Sequence, residues 1–563
     1  MSIPKLNNKE DIPIDPIKKK ICLVQITRLG DLIQTAFAAR ALKENDRNFE
    51  IYLIARSKFA KPLNFLLKEV FDKIFLMDTV SMIGPNNRSV KKSIKKINDF
   101  INVLNNHNID ILANLSFSKS ASYLCSLINS ELKLGPVYNQ KLEIIIKDQW
   151  SQFLYSNVLR GPLCSFSLID IYKKILGVKK KTTHHESFNL NKNNIIIHPF
   201  ASLERKKWKA NKWTEIIYKT LKDHSNKKII IVGDKNDIDE SFKIVDNVIL
   251  NPFKKRIVNK TGKINIYQLS KLIKKSFLFV GHDSMVGHLA AYYNVDTLTI
   301  SLGSVRPIET SPYINKGYNI TPRIKCFPCF PQSKCDNYQC HNDISYQIIS
   351  ACINQLIKKN KITLKEIKEE ASLFHIDNIN IYRSKFTKQD MLDFDDITEN
   401  NPNHNDIFRK YYRIAWLYFL NDDEEFQDIP ILNDHTGQDL LNYIEGLKYL
   451  YELSEFGKSY SKYILEEASS KTPVLSKIRD HSRKIEEIDR LSEIIKESYP
   501  HLYPIIDYFL VVKGNLSGGN LLEIAQKSYE AYHNCSLLIS VIYELIEKTV
   551  SKYKKDFSRE KSK

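Results

Sequence analysis

This chain contains two successive series of short apolar runs that alternate with helix-like stretches. Of its sequence features, this pattern most restricts the possible fold. The first series has its apolar runs at 21–26, 51–54, 74–77 and 109–112. The second series has its apolar runs at 195–198, 229–232, 277–280 and 297–301. Parallel strands buried on both faces read as continuous apolar runs joined by helices. Each series therefore predicts a doubly wound α/β domain built on a parallel sheet.

The two series predict two Rossmann-like domains, at 20–165 and 190–340, with a linker rich in Lys, Thr and His within about 160–190. A helix at 342–358 would close this unit. Facing domains of this type form a cleft at the carboxyl ends of their strands, where ligands bind. Farther along, strand signals become rare, and amphipathic segments predict an all-helical extension over 376–563.

The composition and charge of the chain limit the classes of partner that we expect it to bind. The 563 residues are 43% apolar, and 84 basic against 65 acidic residues give a net charge of +19. Such an excess favours nucleotide phosphates, nucleic acid or an anionic membrane, although a solvated lysine-rich surface explains it equally well. The charge is spread and no nucleic-acid motif accompanies it, so we expect no nucleic-acid partner.

The sequence also indicates the cellular compartment in which we expect the protein. We see no signal peptide and no apolar run of membrane-spanning length. Nine sparse, unevenly placed cysteines favour a reducing compartment over a disulfide scaffold. We therefore expect a cytoplasmic protein, with peripheral contact to an anionic inner membrane as an option.

The first candidate site follows the first strand, where Leu29-Gly30-Asp31 leads into a helix. Asp31 at such a position could simply be the N-cap of that helix, which is the commoner role for an isolated aspartate there. At the top of a sheet, facing a cleft, the same carboxylate could instead act as a general base. The loop lacks the G-x-G-x-x-G pattern of dinucleotide-binding domains.

Two further turns belong to the second series. His198-Pro199 is followed by Lys206-Lys207-Trp208, and lysines near the carboxyl end of a strand suit phosphate binding, although such a triplet is usually a surface loop. The turn at 281–284 precedes a helix whose N-terminal N–H groups and dipole would attract an anion. His288 on that helix could equally be a core histidine.

Taken together, these segments resemble glycosyltransferase family nine, the ADP-heptose:lipopolysaccharide heptosyltransferases. The family motifs occur in order as Leu29-Gly30-Asp31, His198-Pro199, Lys206-Lys207-Trp208, Thr261-Gly262-Lys263, Asp283-Ser284 and His288 to Ala291. A Cys-rich segment over 326–340 follows, as it often does in the family. The resemblance covers residues 21 to about 358, and it rests on the order of the motifs, since each one alone is weak.

The resemblance implies a GT-B fold in which the second domain binds most of the donor. It implies that Asp31 is the catalytic base and that Lys206 contacts the donor phosphates. The implied donor-binding residues of the second domain are Asp283, Ser284, Met285, Gly287 and His288, with Asp237 as a candidate ribose contact. Met285 replaces the family's usual Gly after Asp-Ser, and Phe200 replaces the Gly after His-Pro, which leaves the donor's identity open.

These roles predict an inverting glycosyltransferase that moves a sugar to a hydroxyl acceptor such as the lipopolysaccharide core. The leading candidate for the sugar is heptose, with ADP-heptose as the donor. One base and positive charge on the departing diphosphate suffice, so no cofactor is required for catalysis. The alternatives are a transferase for another nucleotide sugar or for a protein acceptor, and an inactive GT-B scaffold that acts as a binding module.

Four of the nine cysteines form a separate candidate site. Cys326, Cys329, Cys335 and Cys340 lie within fifteen positions and could hold a structural Zn or Fe ion tetrahedrally. Free thiols or loose disulfides in a loop are the alternative interpretation. We expect no catalytic role for this segment.

Overall fold

The computed structural model describes residues 18–84, 89–116, 118–179, 193–330, 333–370, 376–398, 404–421 and 437–560. The strands of the N-terminal domain are β1 (Lys19–Val24), β2 (Phe49–Arg56), β3 (Lys73–Met77), β4 (Ile109–Asn114), β5 (Ser130–Leu134), β6 (Val137–Tyr138) and β7 (Ile144–Ile145). Its helices are α1 (Leu29–Asn45), α2 (Ser57–Ala60), α3 (Asn64–Val70), α4 (Thr79–Ile83), α5 (Val90–Asn105), α6 (Lys119–Leu127), α7 (Gln149–Asn157) and α8 (Leu168–Ile175).

The N-terminal sheet is parallel, in the order β3-β2-β1-β4-β5. At the end of β1, Val24 pairs with Ile54 on one side and with Asn114 on the other. The central strands therefore end at one edge of the sheet, where the turn that carries Asp31 begins. This arrangement confirms the predicted parallel α/β domain.

The second domain has its own sheet. Its strands are β8 (Asn194–His198), β9 (Lys228–Ile231), β10 (Ile257–Asn259), β11 (Leu278–His282), β12 (Asp296–Ile300), β13 (Tyr318–Pro322), β14 (Ile379–Phe386) and β15 (Leu392–Asp396). Its helices are α9 (Ala210–Asp223), α10 (Ile238–Val245), α11 (Ile266–Lys274), α12 (Met285–Tyr292), α13 (Pro307–Thr310), α14 (Gln339–Asp343), α15 (Tyr346–Lys359) and α16 (Leu364–Glu370). The strand order is β10-β9-β8-β11-β12-β13-β14-β15, and β14 and β15 are antiparallel.

Two details differ from the sequence-based boundaries. Strands β14 and β15 extend the second sheet through Asp396, so the helical region begins at His404 and not at 376. The predicted linker contains α8, whose charged Asp170 and Lys173 are buried because Lys173 lies 2.8 Å from the Asp390 carboxylate and Asp170 accepts from Tyr313. Long-range partners of this kind neutralise charges that a local pattern assigns to solvent.

The C-terminal region is helical, as predicted. It consists of α17 (His404–Asn421), α18 (Gly437–Ala468), α19 (Leu475–Ser498), α20 (Tyr503–Gly514) and α21 (Leu521–Glu560). No helix in the described ranges is long and apolar enough to cross a membrane.

This helical region packs directly on the N-terminal domain and does not form a separate packing unit. The Trp416 ring packs edge-on against Phe153 of α7, with 5.2 Å between ring centroids. The Tyr503 hydroxyl accepts from the Leu163 backbone N–H at 2.8 Å, and Arg413 donates to the Ser165 carbonyl at 2.8 Å. The buried core is continuous from the N-terminal domain into these helices.

The two α/β domains meet through α1 and α12. Phe37 packs edge-on against Tyr292 at 5.1 Å, and the Arg40 guanidinium lies 4.5 Å from the centre of the Tyr292 ring. Nearer the start of α1, Gly30 lies against His288 of α12, where an added β-carbon would be 3.3 Å from the His288 ring, so the beginning of α1 also meets α12 at the interdomain cleft.

Candidate active site

Asp31 lies at the start of α1, as its third residue. Its Oδ2 atom accepts a hydrogen bond from the Arg28 backbone N–H at 3.0 Å and lies 2.5 Å from the Thr27 hydroxyl. Arg28 occupies the N-cap position, so Asp31 is not itself the N-cap, but its carboxylate accepts from the N-cap N–H. These contacts fix one carboxylate oxygen at the edge of the cleft.

Buried polar groups support this turn from behind. Gln25 accepts from the Thr27 hydroxyl and donates to the Leu115 carbonyl at 3.1 Å. The Tyr172 hydroxyl of α8 donates to the same carbonyl at 3.1 Å. Burial, reinforced by the charge of Asp31, raises the pKa of Tyr172, which therefore stays a neutral donor. The base position is thus held by residues from three parts of the N-terminal domain.

The opposite wall is the turn between β11 and α12. Ser284 is the N-cap of α12, and its side chain makes no capping hydrogen bond. The Ser284 Oγ and the Asp283 Oδ1 are buried atoms without a hydrogen-bond partner among the described residues. Thr310 donates to the other Asp283 oxygen at 3.3 Å. An unpaired buried polar atom costs about 1–3 kcal/mol, so these atoms suit a polar ligand.

His288 connects the two walls. Its Nε2 lies 3.9 Å from Asp283 Oδ1, and a β-carbon added to Gly30 would lie 3.3 Å from its Cδ2. Burial lowers the pKa of His288, while the charges of Asp283 and Asp31 oppose that shift. His288 therefore faces both candidate acidic residues and is not a purely apolar core histidine. Its neighbour Gly287 instead packs against Phe279 and Pro312.

Lys206 lies in a well-anchored loop. The Trp208 backbone N–H donates to His282 Nε2 at 3.0 Å, and the Trp208 indole donates to the His341 carbonyl at 3.2 Å. Burial lowers the pKa of Lys206, and the nearby cations Arg28 and Arg306, among others, lower it further, whereas Asp283 raises it. The cleft thus brings together cations from both domains and the N-termini of two helices. This arrangement favours the binding of an anion.

Sequence reasoning missed Arg28 and Arg306. Arg306 follows β12 and is buried; its Nε donates to the Gly161 carbonyl at 3.1 Å, while its Nη1 is buried without a described partner. Glu309 lies beside it, 3.8 Å away, and burial raises the pKa of Glu309 to about 8. The only sequence signal was the position of Arg306 after a central parallel strand.

Two residues around β8 and β9 have local roles. Asp237 accepts from the Asp234 backbone N–H at 2.9 Å, and burial raises its pKa. The Phe200 ring lies against Gly233, where an added β-carbon would be 2.6 Å from it. Phe200 therefore occupies space that Gly at 200 would leave open. Asp237 as a ribose contact stays a prediction.

The four clustered cysteines do not form a metal-ligand set in the described structure. Cys326 is exposed and Cys340 is buried, and burial raises the pKa of Cys340 to about 11. Among the described residues, no group of three or more His, Cys, Asp or Glu side chains could hold a metal ion. A structural Zn or Fe ion there stays a prediction, and no step below depends on it.

The Cys-rich segment nevertheless supports the Lys206 loop. The Arg205 guanidinium donates to the Phe330 and Ser333 carbonyls at 3.2 and 2.9 Å. The Cys329 N–H donates to the Gly303 carbonyl at 2.9 Å. The segment thus lies behind the residue that precedes Lys206.

Comparison with known proteins defines the class. Residues 171–339, which include most of the second domain, match the sequence model of glycosyltransferase family 9 (heptosyltransferase). The match confirms the family resemblance, and the chain is a glycosyltransferase. Asp31 lies outside the matched range, so its role rests on the geometry and on the N-terminal motif.

Particular relatives are distant. The chain is 22% identical over 269 residues to lipopolysaccharide heptosyltransferase 3 of Escherichia coli, which covers 43% of this chain and 77% of the relative. It is 22% identical over 303 residues to lipopolysaccharide heptosyltransferase 1 of Campylobacter coli, which covers 50% and 83%. The solved structure of the E. coli ADP-heptose lipopolysaccharide heptosyltransferase II is 16% identical to this chain, with a TM-score of 0.44. The match covers 61% of this chain and 100% of that one.

Proposed function

We propose that this glycosyltransferase transfers heptose from ADP-heptose, with inversion at the anomeric carbon, to a hydroxyl of a lipopolysaccharide-type acceptor. The observation that carries the proposal is the placement of the Asp31 carboxylate across the cleft from the Asp283-Ser284 turn, with Gly30 in contact with His288. A base and an anion site on opposite sides of one cleft can act on the two ends of one displacement.

In this reaction Asp31 accepts the proton of the acceptor hydroxyl. The oxygen forms a bond to the anomeric carbon as the bond from that carbon to the diphosphate breaks, and the electron pair leaves with the phosphate. Lys206, the N-terminus of α12 and the Ser284 hydroxyl stabilise the negative charge of the leaving diphosphate. Attack from the side opposite the leaving group inverts the configuration.

The choice of donor and acceptor has separate support. The two curated relatives are heptosyltransferases of lipopolysaccharide synthesis, and at 22% identity they favour, without fixing, the same substrates. The alternatives are another nucleotide sugar or a protein acceptor. Met285 at the first helical position, where the family usually has Gly, is the residue that most favours a changed donor, because its side chain restricts close approach of a phosphate.

An inactive scaffold is the alternative from another class. It gains support from Met285 and Phe200, which depart from the family pattern. The buried atoms of Asp283 and Ser284 that lack hydrogen-bond partners disfavour a scaffold that binds no polar ligand, so an inactive scaffold would still be expected to bind a nucleotide at this turn.

A transfer assay with purified protein tests the proposal. The donors are ADP-heptose, ADP-glucose and UDP-glucose, and the acceptors are lipopolysaccharide from a strain lacking this gene and the glycoproteins of that strain. We expect transfer from ADP-heptose to the lipopolysaccharide, detected by mass spectrometry. Transfer to protein alone would select the protein-acceptor alternative, and nucleotide binding without transfer to either would support the scaffold.

We also propose that the enzyme works in the cytoplasm, at the inner membrane surface, because its donor would be a cytoplasmic nucleotide sugar and its acceptor a lipid-anchored glycan. The net charge of +19 supports contact with an anionic surface. Fractionation of cell lysates, with and without salt extraction of the membranes, tests this location.

A further inference from the structure

A pocket of about 650 Å³ opens at the carboxyl edge of the N-terminal sheet, beside the candidate base. Its wall includes Thr27, which lies 2.5 Å from Asp31 Oδ2. Most of the rest is apolar, with Met77, Met82 and Phe100 among the lining side chains. A sugar carrying several carboxylates or phosphates would not find matching cations on these walls, so the pocket fits an apolar group held next to the reacting hydroxyl.

The mouth of this pocket is an exposed apolar surface. Val80 and Ile83 of α4 are 68% and 65% exposed, and Tyr123 and Leu127 of α6 are 43% and 54% exposed, although all four line the pocket. Single exposed apolar residues are common, but a cluster around one opening indicates a binding surface.

Helix α5 extends this surface and adds charge. Its apolar stripe continues beyond the core to Ile94, which is 53% exposed, and to Val90 at 75%. Residues 89–98 contain Lys91, Lys92, Lys95 and Lys96 and no acidic residue. An amphipathic helix with an uncovered apolar face and flanking lysines is typical of helices that lie in an anionic membrane interface.

One cationic side chain is among the residues that line this pocket. Arg56, the last residue of β2, lines the pocket and stacks on Phe59 at 4.9 Å. Its Nε is buried and has no partner among the described residues. The lining of the pocket therefore combines a mainly apolar wall with one cationic side chain, which matches one acyl chain and one phosphate or carboxylate. A peptide would instead need backbone partners along the groove.

We propose that the surface formed by α4, α5 and α6 docks on an anionic bilayer, and that the pocket receives an acyl chain of the membrane lipid that bears the acceptor hydroxyl. The docking is independent of the reaction, whereas the role of the bound lipid as acceptor rests on the proposed function. Because Thr27 is shared, a lipid seated there would hold its head group near Asp31.

Vesicle sedimentation with the full-length protein tests the docking. We expect binding to phosphatidylglycerol–phosphatidylcholine vesicles and not to phosphatidylcholine alone. The triple variant Lys91→Gln, Lys92→Gln, Lys95→Gln should bind about 100-fold more weakly, at roughly fivefold per lysine. Ile83→Asp combined with Ile94→Asp should abolish binding. These positions are exposed, so folding should be unaffected, as ADP calorimetry would verify.

Matched controls lie on other surfaces. Val248→Asp and Leu441→Asp change residues that are 74% and 60% exposed, and Lys462→Gln, Lys471→Gln and Lys477→Gln remove three lysines of the C-terminal region. We expect all of them to bind vesicles normally. Equal loss in these controls, no loss in the α4–α5 variants, or binding to neutral vesicles would overturn the docking surface.

Dodecyl phosphate is the probe for the pocket, with calorimetry as the readout. Ser120 lines the pocket, so Ser120→Phe should fill it and weaken dodecyl phosphate binding at least tenfold while leaving vesicle binding and ADP binding intact. Undiminished dodecyl phosphate binding would overturn the acyl-chain site. If the wild-type protein does not bind ADP but still binds vesicles, the proposed function is wrong and the proposed docking surface is supported.

Discussion

Gly30 of the N-terminal domain lies directly against His288 of the second domain. A β-carbon at Gly30 would be 3.3 Å from His288 Cδ2 and 3.8 Å from its Nε2. The residue next to Gly30 is Asp31, and the helix that carries His288 begins just after Asp283. The contact therefore sets the distance between the candidate base and the candidate donor-binding turn, Asp283-Ser284.

Gly30→Ala should reduce turnover about tenfold, because a methyl group there must push His288 or the α1 terminus aside by a few tenths of an ångström. The helix itself gains propensity from alanine, so the melting temperature should not fall. Gly514→Ala is the control, since a β-carbon at Gly514 meets nothing within 4 Å. Normal turnover in the Gly30 variant would show that the contact does not set the reactive geometry.

Asp31→Asn should lower turnover about 10²–10⁴-fold, because an amide cannot take the acceptor's proton. The amide oxygen can still accept from the Arg28 N–H, so stability should be retained, whereas Asp31→Ala should cost about 1 kcal/mol in unfolding free energy. Donor affinity should be unchanged in both, since the donor turn belongs to the other domain. A transfer assay, a thermal melt and ADP calorimetry on each variant give the three values.

Asp148→Asn supplies the matched control. Asp148 is the N-cap of α7 and accepts from the Ser151 N–H at 2.8 Å. The Asn variant therefore changes a capping carboxylate that does not face the cleft. We expect normal turnover there. Near-normal turnover of Asp31→Asn would reduce Asp31 to the same local capping function.

The sequence predicts the sheets and most helices well because their signals are local. Helix α11, for example, has a local start signal, because the Asn265 side chain accepts from the Gln268 N–H as its N-cap. Asp31, Lys206, Asp283 and His288 all reach the same cleft. They could be predicted because each lies near the carboxyl end of a parallel strand or at the start of the helix that follows it.

The missed features depend on distant partners. Helix α8 lies in the segment that its Lys, Thr and His content marked as a linker. The burial of its charged residues depends on distant partners: Asp170 accepts from Tyr313, and Lys173 pairs with Asp390, more than two hundred residues away. Strand β14 contains Arg383 and Lys385, which interrupt its apolar pattern. Arg306 carries no motif, and its burial depends on the Gly161 carbonyl, 145 positions earlier in the chain.

Lys206→Ala should weaken ADP binding by about 1.5–3 kcal/mol, the range of a charge-assisted hydrogen bond. Lys209→Ala is the control, because Lys209 is exposed and lies three residues away. If both variants weaken binding equally, the effect is general charge and not a contact of Lys206.

The donor affinity of the wild-type protein should also decline with rising pH earlier than an ordinary lysine would dictate. Burial and neighbouring cations lower the pKa of Lys206 below its usual 10.5, so its charge is lost at a lower pH. Calorimetry with ADP at increasing alkaline pH should show this decline, and Lys206→Ala should remove it. An identical pH profile in the variant would contradict the assignment.

Glu309 should make stability fall as pH rises. Its pKa in the folded protein is about 8 against an ordinary 4.5, so the folded state keeps a proton that the unfolded chain releases. This contribution is full below about pH 4.5 and is lost as pH rises towards 8, with a slope of at most about 1.4 kcal/mol per pH unit. Glu309→Gln can still accept from the Leu159 N–H and should remove that slope in denaturant unfolding. Glu204→Gln, at a largely exposed carboxylate, should leave it unchanged.

Trp416 should stabilise the N-terminal domain although it belongs to the C-terminal helices. Its ring is buried between Phe153 of α7 and Tyr508 of α20, at 5.2 and 4.9 Å. Trp416→Ala should cost about 3–5 kcal/mol. Because the core is continuous, amides of β1 and β4 should lose hydrogen-exchange protection together with those of α20. Phe456→Ala, at a ring that is 55% exposed on α18, should cost far less. If Trp416→Ala deprotects only the helices, the C-terminal region unfolds independently, and the packing of α7 against it contributes little to the stability of the N-terminal domain.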